Sequence, residues 1–207
     1  MFKDRKEAGI KLADALYSYK NRGALVLAIP RGGVEIGYEV AKALQADFSL
    51  LICRKLPYPF DPESGFGAMA EDGSLYINEA AAAYVSEKEI KQIIYEQTEE
   101  ISRCIDTLRD GQPLSELRGR TVLLVDDGIA MGSTMHAAVE MCRKRGAAKI
   151  VIAVPVAGHH AIQEFSRLAD EIIVLESPTY FRAVAQVYEN WYDVSEEEAL
   201  EIFRRQR

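Results

Sequence analysis

The sequence predicts an α/β fold, with a parallel sheet covered by helices on both faces. Three observations carry that prediction. Short runs that are apolar throughout alternate with stretches showing the spacing of amphipathic helices. The strand-like runs lack polar alternation, as strands covered on both faces require. Gly, Pro or charged residues punctuate the chain between them, where it can turn.

In chain order, residues 4–19 place Ala8, Leu12, Ala15, Leu16 and Tyr19 on one helical face. The run 24–29 (ALVLAI) reads as a buried strand, broken by Pro30, Arg31, Gly32 and Gly33 before a helix over 34–44. A second buried strand over 48–53 ends at Arg54 and Lys55. Residues 56–73 hold three prolines and three glycines and are expected to form a loop, followed by a short strand over 75–77. A long amphipathic helix is expected over 87–108, closed by Asp110 and Gly111 and serving packing or dimerisation rather than chemistry. Three more strands are expected over 121–125, 149–154 and 171–175, separated by helices near 134–145 and 159–168. Gly146 is a natural C-cap for the first of those helices. Ser195 and Glu198 form a capping box that opens a last helix.

The net charge of −7, from 25 basic and 32 acidic residues, argues against a general nucleic-acid-binding surface. No secretory leader and no apolar run of roughly 18 residues is evident, so a cytoplasmic location without a membrane partner is expected. Cys53, Cys104 and Cys142 are scattered through apolar stretches and read as buried thiols in a reducing compartment. With no CxxC pair and three histidines, a structural zinc site is not expected.

Ligands of an open parallel sheet bind at the carboxyl ends of its strands. Three predicted loops at that end carry chemistry: 30–33, 54–73 and 126–134. In the run VLLVDDGIAMGST (122–134), an apolar strand ends in Asp126 and Asp127 and a small-residue turn leads into a helix. Gly128, Ala130, Gly132 and Ser133 let the backbone approach a ligand closely, and the helix starting near Ser133 and Thr134, with their two hydroxyls, suits one phosphate at its N-terminus. The acids cannot sit beside that phosphate without repulsion. They can sit one sugar ring away, accepting hydrogen bonds from vicinal hydroxyls. Arg31, Arg54 and Lys55 supply cations for a pyrophosphate, Gly32 and Gly33 allow its close approach, and Mg²⁺ is the expected companion ion.

VLLVDDGIAMGST resembles the phosphoribosyl-pyrophosphate signature of the type I phosphoribosyltransferases. The segments AIPRGGVEIGYEVAKAL (28–44), CRKLPYPFDPESGFGAMAEDG (53–73), AVPVA (153–157) and SPTYFRAVAQVYENWYDVSEEEA (177–199) are similar to an uncharacterised bacterial subgroup of that family. The resemblance covers almost the whole chain. It implies a five-stranded parallel core at about 20–55 and 118–176, an inserted loop and long helix at about 56–115, and a C-terminal hood or tail at about 177–207, all in one domain.

It also implies roles. Asp126 and Asp127 would hold the ribose hydroxyls, and Ala130 to Thr134 would cradle the 5-phosphate. Arg31, Gly32, Gly33, Arg54 and Lys55 would meet the pyrophosphate, with Arg31, Lys55 and both acids counted as catalytic. Mg²⁺ is expected through the pyrophosphate and ribose hydroxyls near the acids, without a metal ligand assigned directly. The implied reaction moves phosphoribose from phosphoribosyl pyrophosphate to a nitrogenous acceptor, in a homodimer or a monomer. Two positions depart from the family pattern. Met131 stands where threonine is common, and Ala130 stands where the 6-oxopurine enzymes carry an acid, which argues against hypoxanthine or guanine. A regulatory protein that binds the same ligand without turnover, and a hydrolase of activated sugar phosphates, are the alternatives.

Overall fold

A computed structural model describes residues 1–205. Five parallel strands form the main sheet: β1 (Leu25–Ala28), β2 (Asp47–Leu50), β6 (Thr121–Val125), β7 (Lys149–Val156) and β8 (Glu171–Glu176), in the order β2-β1-β6-β7-β8. Between β2 and β6 the chain makes a second, antiparallel sheet from β3 (Cys53–Tyr58), β4 (Asp61–Ala70) and β5 (Leu75–Ile77). The helices are α1 (Arg5–Ala15), α2 (Gly33–Leu44), α3 (Glu79–Ala82), α4 (Glu87–Arg109), α5 (Ser133–Lys144), α6 (His159–Leu168) and α7 (Glu196–Arg204).

Side-chain alternation explains why the central strands β1, β6 and β7 are almost wholly apolar. Leu25, Leu27, Leu124, Ile152 and Val154 face one way, against Met135 and Cys142 of α5 and Phe165 of α6. Val26, Leu123, Val125 and Val151 face the other way, against Leu12 of α1 and Ile36 and Val40 of α2. A third apolar cluster, with Leu50, Phe66, Ile101, Leu108 and Phe203, joins the antiparallel sheet to α4 and α7. The three cysteines are buried free thiols. Among the described residues no helix is long and apolar enough to cross a membrane.

The structure departs from the sequence reading in three places. The first helix stops at Ala15, and a separate 3-10 turn covers Tyr17–Tyr19. The strand expected over 48–53 ends at Leu50. The chain then bends at Leu51 and Ile52 and starts the second sheet at Cys53. All these residues are buried, so hydrophobicity alone could not mark the change of sheet. The largest correction concerns 56–73, which is a hairpin rather than a loop: Lys55 pairs with Ala68, Leu56 with Gly67 and Pro57 with Gly65, with irregular register at Pro57. Proline is tolerated at such a bulge. A Cβ on Gly65 would lie 2.7 Å from the Leu56 carbonyl oxygen, so this glycine serves close strand approach rather than a turn. Of the expected tail, residues 206 and 207 lie outside the described residues.

Candidate active site

The carboxyl ends of β1, β6 and β7 converge. Ile29 donates its backbone N–H to Val125 O (2.9 Å) and Ile129 donates to Val156 O (2.9 Å), which ties the loops after all three strands together. A cavity of about 410 Å³ opens there. Asp126, Asp127 and the turn 128–134 form one side of it, and Lys55, Ser64, Gly65 and Gly67 from the hairpin β3–β4 form another. Val184 closes it from the C-terminal segment.

The turn ends at Gly132, whose φ of 79° is a left-handed conformation that suits glycine, and α5 starts at Ser133 without a capping side chain. The first amides of α5 therefore lack protein partners and sit at the positive end of the helix dipole. A Cβ on Gly132 would also lie 2.7 Å from Phe165 Cε2, so the buried ring of Phe165 supports the turn from beneath. Met131 is 86% exposed at the cavity rim.

The acid pair is held by the protein on every side but one. Asp126 Oδ1 accepts from the backbone N–H of Asp127 (2.8 Å). Asp127 Oδ2 accepts from Arg5 Nε (3.0 Å), and Tyr188 donates its hydroxyl to the Asp127 carbonyl (2.8 Å). Gly33 and Gly32 lie directly beneath. A Cβ on Gly33 would lie 2.9 Å from Asp126 Cα, and one on Gly32 would overlap the Asp127 carboxylate. Burial raises the pKa of Asp126 well above the usual carboxylate range, and the neighbouring Asp127 charge adds to the rise. Burial raises Asp127 as well, with Arg5 opposing it. Glu35, in the first turn of α2, is likewise raised by burial. Three carboxyls thus share a region in which Arg5 is the buried cation.

The structure separates the cations that the sequence grouped. Lys55 lines the cavity with the acids, but Arg54 does not. Adjacent residues of a strand point to opposite faces. Arg54 accordingly turns toward α4, where its Nε donates to Gln97 Oε1 (3.3 Å) and Nη2 lies 3.8 Å from Glu100 Oε1. Arg31, after the cis Pro30–Arg31 peptide, is exposed and lines a second cavity of about 200 Å³ with Arg54 and Glu196. Gly32 and Gly33 leave room for the acids themselves. Glu100, Cys104 and Glu196 form the tightest cluster of metal-ligating side chains among the described residues. Arg103 Nη2 already binds both carboxylates, at 2.8 Å and 2.5 Å, so the cluster is an ion-pair network and a poor cation site.

Sequence reasoning missed Arg5 and Val184. Arg5 carried a signal: it lies three residues before Ala8 and seven before Leu12, on the apolar face of α1, where a charge needs a buried partner. His159 lies 3.2 Å from Ser177 Oγ and His160 is exposed, and neither lines the cavity with the acids.

The model of the phosphoribosyl transferase domain family matches residues 3–189. The chain belongs to that family. A Mycobacterium tuberculosis protein named "Putative phosphoribosyl transferase" is 39% identical over 99% of this chain and 47% of its own length. The chain therefore spans about half the length of this curated relative. The crystal structure of TT1426 from Thermus thermophilus superposes with a TM-score of 0.82 at 33% identity, covering 99% of this chain and 98% of that one. The purine phosphoribosyltransferase structure from Pyrococcus horikoshii matches at TM-score 0.51 and 14% identity over 92% of each chain, a likeness of fold. The five-stranded parallel sheet with helices on both faces is thus that of the type I phosphoribosyltransferases, as the paired-acid signature implied.

Proposed function

We propose that the protein is a Mg²⁺-dependent phosphoribosyltransferase that uses phosphoribosyl pyrophosphate and a nitrogenous acceptor. One observation carries the reading: within a single cavity, two partly buried carboxylates stand beside an uncapped helix N-terminus and a lysine. The turn 130–134 binds the 5-phosphate through its amides and the hydroxyls of Ser133 and Thr134. Asp126 and Asp127 accept hydrogen bonds from the ribose hydroxyls, and Lys55 faces the pyrophosphate.

In the reaction the anomeric C–O bond breaks, and its electron pair leaves with pyrophosphate. A ring nitrogen forms the new C–N bond and gives up its proton. Positive charge grows on the sugar in an oxocarbenium-like transition state. The acids stabilise that charge, while Lys55 stabilises the departing oxygens. The hairpin β3–β4, which carries Lys55, covers the site and keeps water from the activated sugar.

The donor chemistry fits Mg²⁺. The acids are hard oxygen ligands in a region short of cations, and burial alone makes their ionised forms costly. Asp126 and Asp127 mark where the ion would be held, and it would neutralise leaving-group charge there. A reducing cytoplasm suits the three free thiols.

Ala130 and Met131 favour a second reading, binding without turnover, because neither offers a proton acceptor or a hydroxyl at the cavity. Incubation with phosphoribosyl pyrophosphate, Mg²⁺ and a panel of bases, following pyrophosphate release, tests both. Release that depends on one base supports transfer. Tight binding with no release on any base supports the regulatory reading, and absence of binding refutes both.

A further inference from the structure

Arg5 is the least expected residue of this site. Its side chain is 3% exposed, against 15% for Asp127, and the two are joined at 3.0 Å. The guanidinium is fixed on its other sides as well. Nη1 donates to the Tyr192 carbonyl (2.8 Å), and Cζ lies 4.0 Å from the Trp191 ring centroid and 5.4 Å from that of Tyr192. Both ends of the chain build this clamp. Phe2 N–H donates to Val187 O (2.6 Å), Glu189 N–H donates to Phe2 O (2.8 Å) and Asn190 N–H donates to Lys3 O (2.9 Å). These bonds strap the segment before α1 to the aromatic segment after β8.

We infer that Arg5 is a positioning residue for the sugar-binding acids: clamped between Trp191 and the Tyr192 carbonyl, it fixes the orientation of the Asp127 carboxylate over Gly32. This rests on the reading of Asp126 and Asp127 as ribose ligands. A hydroxyl-binding carboxylate must be ionised to accept from two directions and must hold one orientation. Burial works against ionisation of Asp127, and Arg5 opposes it. Every charged or titratable group facing this point matters to the balance: Arg5 from α1, Glu35 from α2, Lys55 from β3, Asp126 from the β6 loop and Tyr188 from the tail. Only Arg5 among them is a cation in contact with Asp127. Lysine could not replace it, because one ammonium cannot reach both the carboxylate and the Tyr192 carbonyl in the fixed fork of a guanidinium.

The test compares two probes on the full chain, ribose 5-phosphate and inorganic phosphate, by titration calorimetry from acidic to neutral pH. Phosphate reads the turn 130–134 alone, whereas ribose 5-phosphate also reads the acids. In the parent protein ribose 5-phosphate should bind more tightly than phosphate. Arg5→Gln should lose about tenfold or more of that preference, while phosphate affinity stays within about twofold. A merely structural role would weaken both probes alike, and that result overturns the inference. If Arg5→Gln does not fold, Arg5→Lys carries the test. It should lose several-fold of the preference, and an unaltered preference overturns the inference. A parent protein that does not distinguish the probes sinks the sugar-site reading itself, together with the inference, and is recognised without any variant.

Discussion

Gly32→Ala tests how the acid pair is seated. Gly32 has φ −59° and ψ −37°, ordinary right-handed geometry that alanine adopts freely, so conformation does not demand glycine here. Space does. An added Cβ would overlap the Asp127 carboxylate and lie 2.5 Å from its Cγ. The carboxylate must rotate away, and Arg5 holds it at 3.0 Å with both side chains largely out of solvent. Parting a buried ion pair costs about 3–5 kcal/mol, and a pair that keeps partial contact falls at the low end, about 3 kcal/mol. At about 2–4 °C per kcal/mol for a chain of this size, Tm should fall by about 6–12 °C. Thermal melts of Gly32→Ala, Asp127→Ala and the double variant give the coupling. In the Asp127→Ala background the same methyl meets no carboxylate and should cost less than about 0.5 kcal/mol. Equal costs in the two backgrounds would refute the steric link between Gly32 and Asp127.

Three further outcomes are expected. Asp126→Asn should raise the Tm of the ligand-free protein at neutral pH while abolishing pyrophosphate release. The Asp126 pKa is raised in the folded state, so the native protein holds its proton more tightly than the unfolded chain does. Stability therefore falls as pH rises from the ordinary carboxylate range to the raised value, and melts across pH should lose part of that slope in Asp126→Asn. Phe165→Ala removes the ring beneath Gly132 and should cost about 3–5 kcal/mol, read in denaturant melts, with phosphate affinity lowered as the turn loses support. Met131→Thr adds a hydroxyl at an exposed rim position and should leave Tm unchanged while tightening inorganic phosphate by up to about tenfold in calorimetry. Unchanged affinity would place the phosphate away from residue 131.

Much of the fold was legible in the sequence because its signals are local. The apolar runs at 122–125 and 150–154 read as strands buried on both faces, and both are present. The long helix carries its own capping box at Ser86 and a left-handed stop at Asp110, so its ends needed no tertiary contact to be found. The hairpin at 53–70 was illegible for the opposite reason. Its glycines look like turn formers, and their real function, close approach of a neighbouring strand, exists only once β3, β4 and β5 have paired.

By itself, then, the sequence determined the strand and helix alternation, the acid pair at the end of β6 and the amide-lined turn that follows, since these lie within one unbroken run from Val122 to Thr134. Tertiary structure alone decided which cations join them. Strand alternation sends Lys55 into the cavity and Arg54 to α4. Arg5 reaches Asp127 across 122 residues because both chain ends close over the sheet. Spacing along a chain carries no information about partners that distant. Only packing brings a buried charge to the one opposite charge able to offset its loss of water.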